Sequence, residues 1–161
     1  MDLEKFKKEC RTSEGENKKL YDKLKRKKPN DLDTVFSELH EDAFSRIDCL
    51  ECANCCKTTS PIFYEKDIER AAKSMHLKPG QFIEKYLHID EDKDYVLNSA
   101  PCPFLDGDNY CLIYSDRPAA CREYPHTNRK RMYQVLDLAF KNTMVCPAVL
   151  DMTKALQKIY S

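Results

Sequence analysis

The sequence lacks several features that would assign it to a familiar class of protein. No apolar run is long enough to cross a membrane, and the first residues, MDLEKFKKEC, have neither the apolar core nor the cleavage site of a secretory signal. Only three glycines occur, which excludes long flexible linkers. There is no phosphate-binding loop, no H-E-x-x-H run and no Ser/His/Asp order typical of hydrolases. We therefore expect a cytoplasmic protein with no membrane contact.

Net charge is also absent, because 27 Lys and Arg residues balance 27 Asp and Glu residues. This balance gives no indication of a polyanionic partner. Basic residues do concentrate in residues 1–28, and a basic run occupies residues 25–28. We interpret that run as the last turn of a helix, where positive charge complements the helix dipole. The charge pattern argues against a nucleic-acid partner.

Cysteine is the residue that the sequence has in excess, with nine copies. In a reducing cytoplasm, clustered cysteines bind metals more often than they form disulfides, and an odd number cannot pair completely within one chain. Cys10 stands apart from the other eight and is predicted to be a small buried side chain. Eight thiolates close together would repel one another unless cations bind. The composition therefore predicts a metal ion as partner.

Hydrophobic periodicity predicts a small single α+β domain, mostly helical, with a short β-hairpin and with loops gathered round a cysteine metal site. We divide it into an N-terminal helical segment, residues 1–48, and a cysteine-cluster domain, residues 49–161, which form one compact unit overall. Helices are expected at residues 2–28 (with a break near Gly15), 32–47, 67–75, from 79 onward, near 117–121, 130–141 and 147–160. Between the helices we expect irregular chain at 49–59, a surface turn at 88–94, a strand at 95–97 and a hairpin joining 104–105 to 110–114.

The densest cysteine group is Cys49-x₂-Cys52-x₂-Cys55-Cys56. Two residues between cysteines let a loop turn both sulfurs toward one ion, so the first three are expected to converge. Cys56 follows directly, and neighbouring side chains usually point apart, so it either serves a second metal or packs in the interior. Three thiolates leave a tetrahedron incomplete, and a further ligand must come from elsewhere in the chain.

Further candidate ligands lie downstream. Cys102 and Cys111 fall on the two arms of the predicted hairpin, Cys121 lies in a short helix, and Cys146 lies at a helix start, where the dipole favours a thiolate. Eight cysteines fit two four-cysteine sites, or one cubane iron–sulfur cluster and another site. Zinc accepts the same ligands, so the spacing leaves open the choice between zinc and iron. His126 is the one histidine close to the cysteines, and it is a candidate ligand or proton donor.

Taken together, these motifs resemble the CxxCxxCC cysteine-cluster proteins, also called YkgJ-like, which are described as zinc- or iron-chelating domains. The resemblance covers residues 49–125 in the family's order, through the first cysteine group, Cys102-Pro-Phe-Leu, Cys111-Leu-Ile-Tyr and Arg117-Pro-x₂-Cys121-Arg-x-Tyr-Pro. The family usually has glycine before the paired cysteines. Asn54 takes that position here, and asparagine tolerates a left-handed backbone. The resemblance implies that the cysteines chelate the metal.

Three other residues of the matching motifs, Arg117, Arg122 and Tyr124, are expected beside the ligands together with His126. An arginine next to several thiolates reduces their residual negative charge and can donate hydrogen bonds to sulfur.

The resemblance implies metal binding and leaves the physiological role undefined. We expect a module in which zinc or iron organises the loops. The alternative is an enzyme that depends on a metal or an iron–sulfur cluster, of the redox or methyl-transfer type, because flagellin lysine methylases carry a related cysteine pattern. An enzyme would need an open coordination position.

Overall fold

Helices dominate the computed structural model of this protein, which describes all 161 residues. The helices are α1 (Leu3–Lys27), α2 (Leu32–Arg46), α3 (Cys49–Cys52), α4 (Asn54–Thr58), α5 (Glu65–Ser74), α6 (Pro79–Tyr86), α7 (Ala119–Glu123), α8 (Leu136–Asn142) and α9 (Pro147–Ile159). Strands β1 (Leu87–Ile89) and β2 (Tyr95–Leu97) form an antiparallel pair in which Leu87 faces Leu97. The predicted α+β, mostly helical class is confirmed. None of the helices combines the length and the apolarity needed to span a bilayer.

Residue contacts divide the chain into two units. The terminal unit comprises Met1–Cys52 and Pro125–Ser161, and the central unit comprises Ala53–Tyr124. The boundary that the sequence suggested between residues 48 and 49 stays a prediction, because contacts do not show which segments fold independently.

The terminal unit is built from the amphipathic faces of α1, α2, α8 and α9. Helix α1 begins where the Asp2 carboxylate accepts a hydrogen bond from the Lys5 N–H, and it ends at Lys28, whose backbone is left-handed. Inside, the Tyr21 hydroxyl lies 2.9 Å from the Thr153 hydroxyl. The main core of this unit consists of Leu20, Tyr21, Leu24, Leu32, Phe36, Ala43, Met132, Leu136, Ala139, Ala148, Met152 and Leu156.

Two helix predictions in the terminal unit need correction. Helix α1 runs through Gly15 without a break, because the flanking turns hold its hydrogen bonds. The helix expected from residue 130 begins only at Leu136. Before it lies a 3₁₀ turn, Met132–Gln134, and the Asp33 carboxylate accepts hydrogen bonds from the N–H groups of Arg131 and Met132 at its start.

The central unit packs α5, α6 and the β1–β2 pair round an aromatic core. The Phe82 and Phe104 rings are nearly parallel, 5.8 Å apart, and Tyr86 contacts Phe104 at 4.9 Å. Pro79 occupies the first turn of α6, where its missing N–H costs nothing. The buried members of this core are Phe63, Ile68, Ala71, Ala72, Phe82, Leu87, Leu97, Phe104 and Ile113.

The hairpin predicted at residues 104–114 is present only as a short bridged turn, and the longer strand pairing lies elsewhere. The strand at 95–97 is confirmed, but it pairs with Leu87–Ile89, part of which was expected to be a surface turn. Residues 104–111 form a tight turn closed by a single bridge between Leu105 and Cys111. The Asp106 carboxylate accepts from the N–H groups of Asp108 and Tyr110, and two backbone hydrogen bonds, from Asp106 to Tyr110 and from Leu112 to Phe104, join the arms of the turn before the pairing ends.

The first cysteine group is also more regular than expected, because short helices α3 and α4 replace the predicted irregular chain. The left-handed residue is Ala53, with a φ of 47°, and not Asn54, which begins α4. The turn before the paired cysteines therefore exists, one residue earlier than the sequence suggested.

Candidate metal centre

No disulfide joins any of the nine cysteines, and the two units divide them. The terminal unit holds Cys10, Cys49, Cys52 and Cys146, and the central unit holds Cys55, Cys56, Cys102, Cys111 and Cys121. Cys10 is 2% exposed, and its thiol donates to the Thr143 carbonyl at 3.2 Å, which confirms the predicted burial.

Four cysteines of the central unit, which we call the central quartet, come from three stretches of chain: Cys56, Cys102, Cys111 and Cys121. The Cys102 N–H donates to the Cys56 carbonyl at 2.8 Å, which joins α4 to the turn. Cys111 lies on the other arm of that turn, and Cys102 and Cys111 both pack against the aromatic core. Cys121 is placed by α7. The core and the turn thus bring cysteines that are distant in sequence into the same part of the central unit.

The pKa values of the central quartet show that its thiols are electrostatic neighbours. Burial of the Cys121 sulfur, together with the nearby sulfurs of Cys56, Cys102 and Cys111, raises its pKa to about 12, although the residue as a whole is exposed. Burial also raises the pKa values of Cys102 and Cys111, and each is raised again by Cys56. Four thiolates here would repel one another, and a bound cation would remove that repulsion.

Backbone N–H groups are directed at two sulfurs of the central quartet. Phe104 and Leu105 donate to Cys102, and Ile113 donates to Cys111, and these bonds lower the thiol pKa values against the larger effect of burial. Donors two and three residues after a cysteine stabilise a thiolate where it forms. The turn therefore supplies both the sulfurs and part of their hydrogen bonding.

Cys55 lies directly beside Cys56 in α4. Its side chain hydrogen-bonds to Cys56, and this bond is the main reason why the pKa of Cys56 is lowered to about 7. Cys56 in turn raises the pKa values of Cys102, Cys111 and Cys121, which is why we count it in the quartet; the ligand role of Cys55 stays a prediction.

Three cysteines of the terminal unit form a second group, the terminal trio: Cys49, Cys52 and Cys146. Cys49 and Cys52 are three residues apart in α3, which places them on one helix face. Cys146 is the N-cap of α9. Its pKa is raised to about 11, chiefly by burial and to a smaller extent by the charges of Cys49 and Cys52, against the lowering effect of hydrogen bonds from the N–H groups of Val149 and Ala148.

The arginines predicted to lie near the ligands take up defined positions in the central unit. The Arg117 guanidinium lies over the Tyr114 ring, 4.0 Å from its centroid, and donates to the Tyr114 carbonyl at 2.7 Å. Its charge lowers the pKa values of Cys111 and Cys121. Arg122 donates to the Ser115 carbonyl at 3.3 Å. Tyr124 ends the central unit and His126 lies in the terminal unit with a φ of 63°; their roles stay predictions.

Sequence reasoning missed Asp67, which positions the segment that carries Cys121. Its buried carboxylate accepts from Arg70 at 2.6 Å, from the Ala119 N–H at 3.1 Å and from the Tyr64 N–H at 3.0 Å. It therefore links the start of α5 to the start of α7. Its spacing from Tyr64 is typical of a helix start, but no sequence signal indicated the contact with Ala119.

The donor atoms suit zinc or iron, since both accept cysteine thiolates and N–H donors stabilise such ligands. Within neither unit does the structure group three His, Cys, Asp or Glu side chains closely enough to hold a metal ion. Coordination by either set of cysteines therefore requires side-chain rotation that draws the sulfurs together.

A family model described as "CxxCxxCC: Putative zinc- or iron-chelating domain" matches residues 48–146, more than half of the chain. The chain belongs to the CxxCxxCC family. The matched range contains both cysteine groups and leaves out Cys10. Membership supports metal-ion binding as the coarse function. No match to the chain was found among curated proteins or among solved structures.

Proposed function

We propose that this protein binds zinc or iron through cysteine thiolates, and that the central quartet is its principal centre. The observation that supports the proposal is that Cys102 and Cys111 pack against one aromatic core, that the Cys102 N–H is bonded to the Cys56 carbonyl, and that the Cys121 sulfur is influenced by the charges of the other three. Eight cysteines of the matched family range stay proposed ligands as a set: Cys49, Cys52, Cys55, Cys56, Cys102, Cys111, Cys121 and Cys146.

A metal at the central quartet has a clear structural task. Residues 104–113 are held by one bridge, by two backbone hydrogen bonds between the arms of the turn and by side-chain bonds to Asp106, and a 3₁₀ turn, Tyr114–Asp116, follows them. Such a segment gains little from regular hydrogen bonding. A four-cysteine centre would fix both arms of the turn and α7 together, as structural zinc sites do.

Arg117 supports the same centre electrostatically. A divalent ion with four thiolates keeps a charge of −2, and the central unit already holds nine Lys and Arg residues against twelve Asp and Glu residues. The guanidinium beside Cys111 and Cys121 offsets part of that excess. Its stacking on Tyr114 holds it in place.

The test begins with anaerobic purification of the full chain without a metal-binding tag. Iron, zinc and acid-labile sulfide per chain are measured together with the visible spectrum, for the wild type, Cys121→Ser and the control Cys10→Ala. We expect metal in the wild type and in the control, and loss of the quartet's metal in Cys121→Ser. Full retention of metal in Cys121→Ser would refute the quartet.

The same measurement separates the two classes of function. Colourless protein with zinc and no sulfide supports the chelating module. Iron and sulfide in similar amounts support a cluster and direct attention to the alternative, a redox or methyl-transfer enzyme.

A further inference from the structure

Two basic runs that are far apart in sequence come together in the terminal unit. Every residue of 25–28 and of 129–131 is lysine or arginine, and all seven residues are exposed. The Lys28 ammonium lies over the Tyr133 ring, 5.4 Å from its centroid, so α1 ends against the segment that follows the second run. We call the two runs, together with Tyr133, the basic surface.

Helix α2 holds the second run in place. Three side chains at helical spacing along one face of α2 bond to the segment that contains this run: Asp33 to the N–H groups of Arg131 and Met132, Ser37 to Asn128, and His40 to Thr127. The two bonds of Asp33 measure 2.7 and 2.8 Å. The cations at 129–131 therefore extend from a backbone that is fixed on both sides before any partner binds.

Two of these cations stand where the backbone is left-handed. Lys28 has a φ of 45° and Arg131 a φ of 60°, a conformation that glycine adopts without the steric cost of a Cβ. The Lys28 N–H donates to the Leu24 carbonyl at 2.8 Å, and the Arg131 N–H donates to Asp33. Backbone N–H groups thus make the hydrogen bonds at both positions, and the cationic side chains are not needed for them.

Most of the positive charge of this surface is unpaired. Only Lys25 forms an ion pair, with Asp137 at 2.8 Å, and both of those side chains are exposed. The whole chain has no formal net charge, so the residues outside the two runs carry an excess of seven acidic side chains. A long polyanion that extended beyond the surface would meet this acidic remainder, whereas a short anionic segment would not.

We propose that the basic surface binds a short acidic segment of a partner protein. Arginine side chains bind carboxylates through two parallel hydrogen bonds, and the lysines add attraction without fixed geometry. Tyr133, which is 42% exposed, offers an apolar contact in the same place, and tyrosine and arginine are enriched among the residues that contribute most to protein interfaces. The fixed backbone of residues 127–132 reduces the entropy lost on binding.

The test is fluorescence anisotropy of a labelled glutamate-rich peptide that contains one phenylalanine, titrated with the full chain. Arg129→Glu combined with Arg131→Glu should weaken binding by about tenfold, because two attractive pairs become repulsive. The matched control is Lys8→Glu combined with Arg11→Glu, which makes the same change of charge at exposed positions of α1. At about 1.5 Å per residue these positions lie about 25 Å or more from Lys28, beyond the range of screened charges, so the control should change binding by less than about twofold.

The remaining outcomes separate a specific surface from general attraction. An equal loss in the two double variants would show attraction by net charge alone and would overturn the proposal. Asp33→Ala removes a negative charge but releases the second run, so weaker binding supports the fixed surface and tighter binding contradicts it. If that variant fails to fold, the exposed Tyr133→Ala replaces it, and unchanged affinity would refute the contact with the ring. Tighter binding of a single-stranded oligonucleotide of equal charge would assign the surface to nucleic acid and overturn the acidic protein partner.

Discussion

Truncation of Phe104 to alanine should weaken metal binding by the central quartet through the core of the central unit. Phe104 is 1% exposed and stacks on Phe82 with rings 5.8 Å apart. Its backbone N–H donates to the sulfur of Cys102. One residue therefore connects the aromatic core to a proposed ligand, while its side chain lies outside the coordination sphere.

The expected magnitude follows from the burial of the ring. Replacing a fully buried phenylalanine with alanine costs about 3–5 kcal/mol in lost transfer free energy and residual cavity. Where metal binding and folding are coupled, such a loss appears in the apparent metal affinity. At about 1.4 kcal/mol per factor of ten, the lower end of that range weakens binding by about 100-fold.

The assay is competition for Zn²⁺ against a chromophoric chelator, with the unfolding free energy of the metal-free protein measured by urea in parallel. Phe36→Ala is the matched control, because Phe36 is as deeply buried but lies in the core of the terminal unit. The affinity of the central quartet for Zn²⁺ in Phe36→Ala should stay near that of the protein without this substitution. To isolate the quartet, both substitutions are made in a Cys49→Ser background.

An unchanged affinity in Phe104→Ala, despite a lower unfolding free energy, would refute the coupling. The quartet would then be formed before metal binds. An equal loss of affinity in Phe36→Ala would refute the assignment of this effect to the central unit.

Three further predictions concern the terminal unit. Tyr21→Phe removes the hydroxyl that donates to Thr153, which itself donates to Val149 at 2.7 Å. The substitution should lower the unfolding free energy, measured by urea denaturation, by about 0.5–1.5 kcal/mol, and no change would show that the bond contributes nothing. Gly15→Ala should raise the unfolding free energy by about 0.5–1 kcal/mol, because alanine favours the helix over glycine and the added Cβ meets nothing within 4 Å. A lower thermal midpoint would contradict this. Burial lowers the pKa of His40, so the unfolded chain binds more protons than the folded one as pH falls through about 6.5. The unfolding free energy should therefore decrease below that pH. An equally steep decrease in His40→Asn would show that His40 is not its origin.

The sequence was most informative where a long apolar stripe meets a large core. Helices α1 and α9 lie close to their predicted bounds, because residues such as Leu24 and Leu156 repeat at helical spacing over several turns. Short elements were harder to predict. Residues 106–109 do form the predicted turn, but the Asp106 side chain satisfies it and the longer pairing forms elsewhere. A turn signal indicates where the chain reverses and does not specify how far the pairing extends.

Spacing indicated eight clustered cysteines as ligands, which stays a prediction, but it did not indicate how the fold distributes them. Spacing suggested that Cys49, Cys52 and Cys55 share one ion, because local loops usually supply adjacent ligands. In the structure, Cys49 and Cys52 share the terminal unit with Cys146, which lies more than ninety residues later, whereas Cys55 belongs to the central unit. That distribution depends on the packing of the terminal unit, in which α9 returns to the helices near the start of the chain, and no local pattern records it.

The division of the motif itself carries the strongest implication for its chemistry. Cys52 is the last residue of the first part of the terminal unit, and Ala53 is the first residue of the central unit. The first half of C-x₂-C-x₂-C-C therefore belongs to the same unit as Cys146, and the second half to the same unit as Cys102, Cys111 and Cys121. Under the proposed function, the cysteines counted within each unit number three in the matched part of the terminal unit and five in the central unit. Because a closed tetrahedral site needs four thiolates, only the central unit holds enough cysteines to complete such a site by itself.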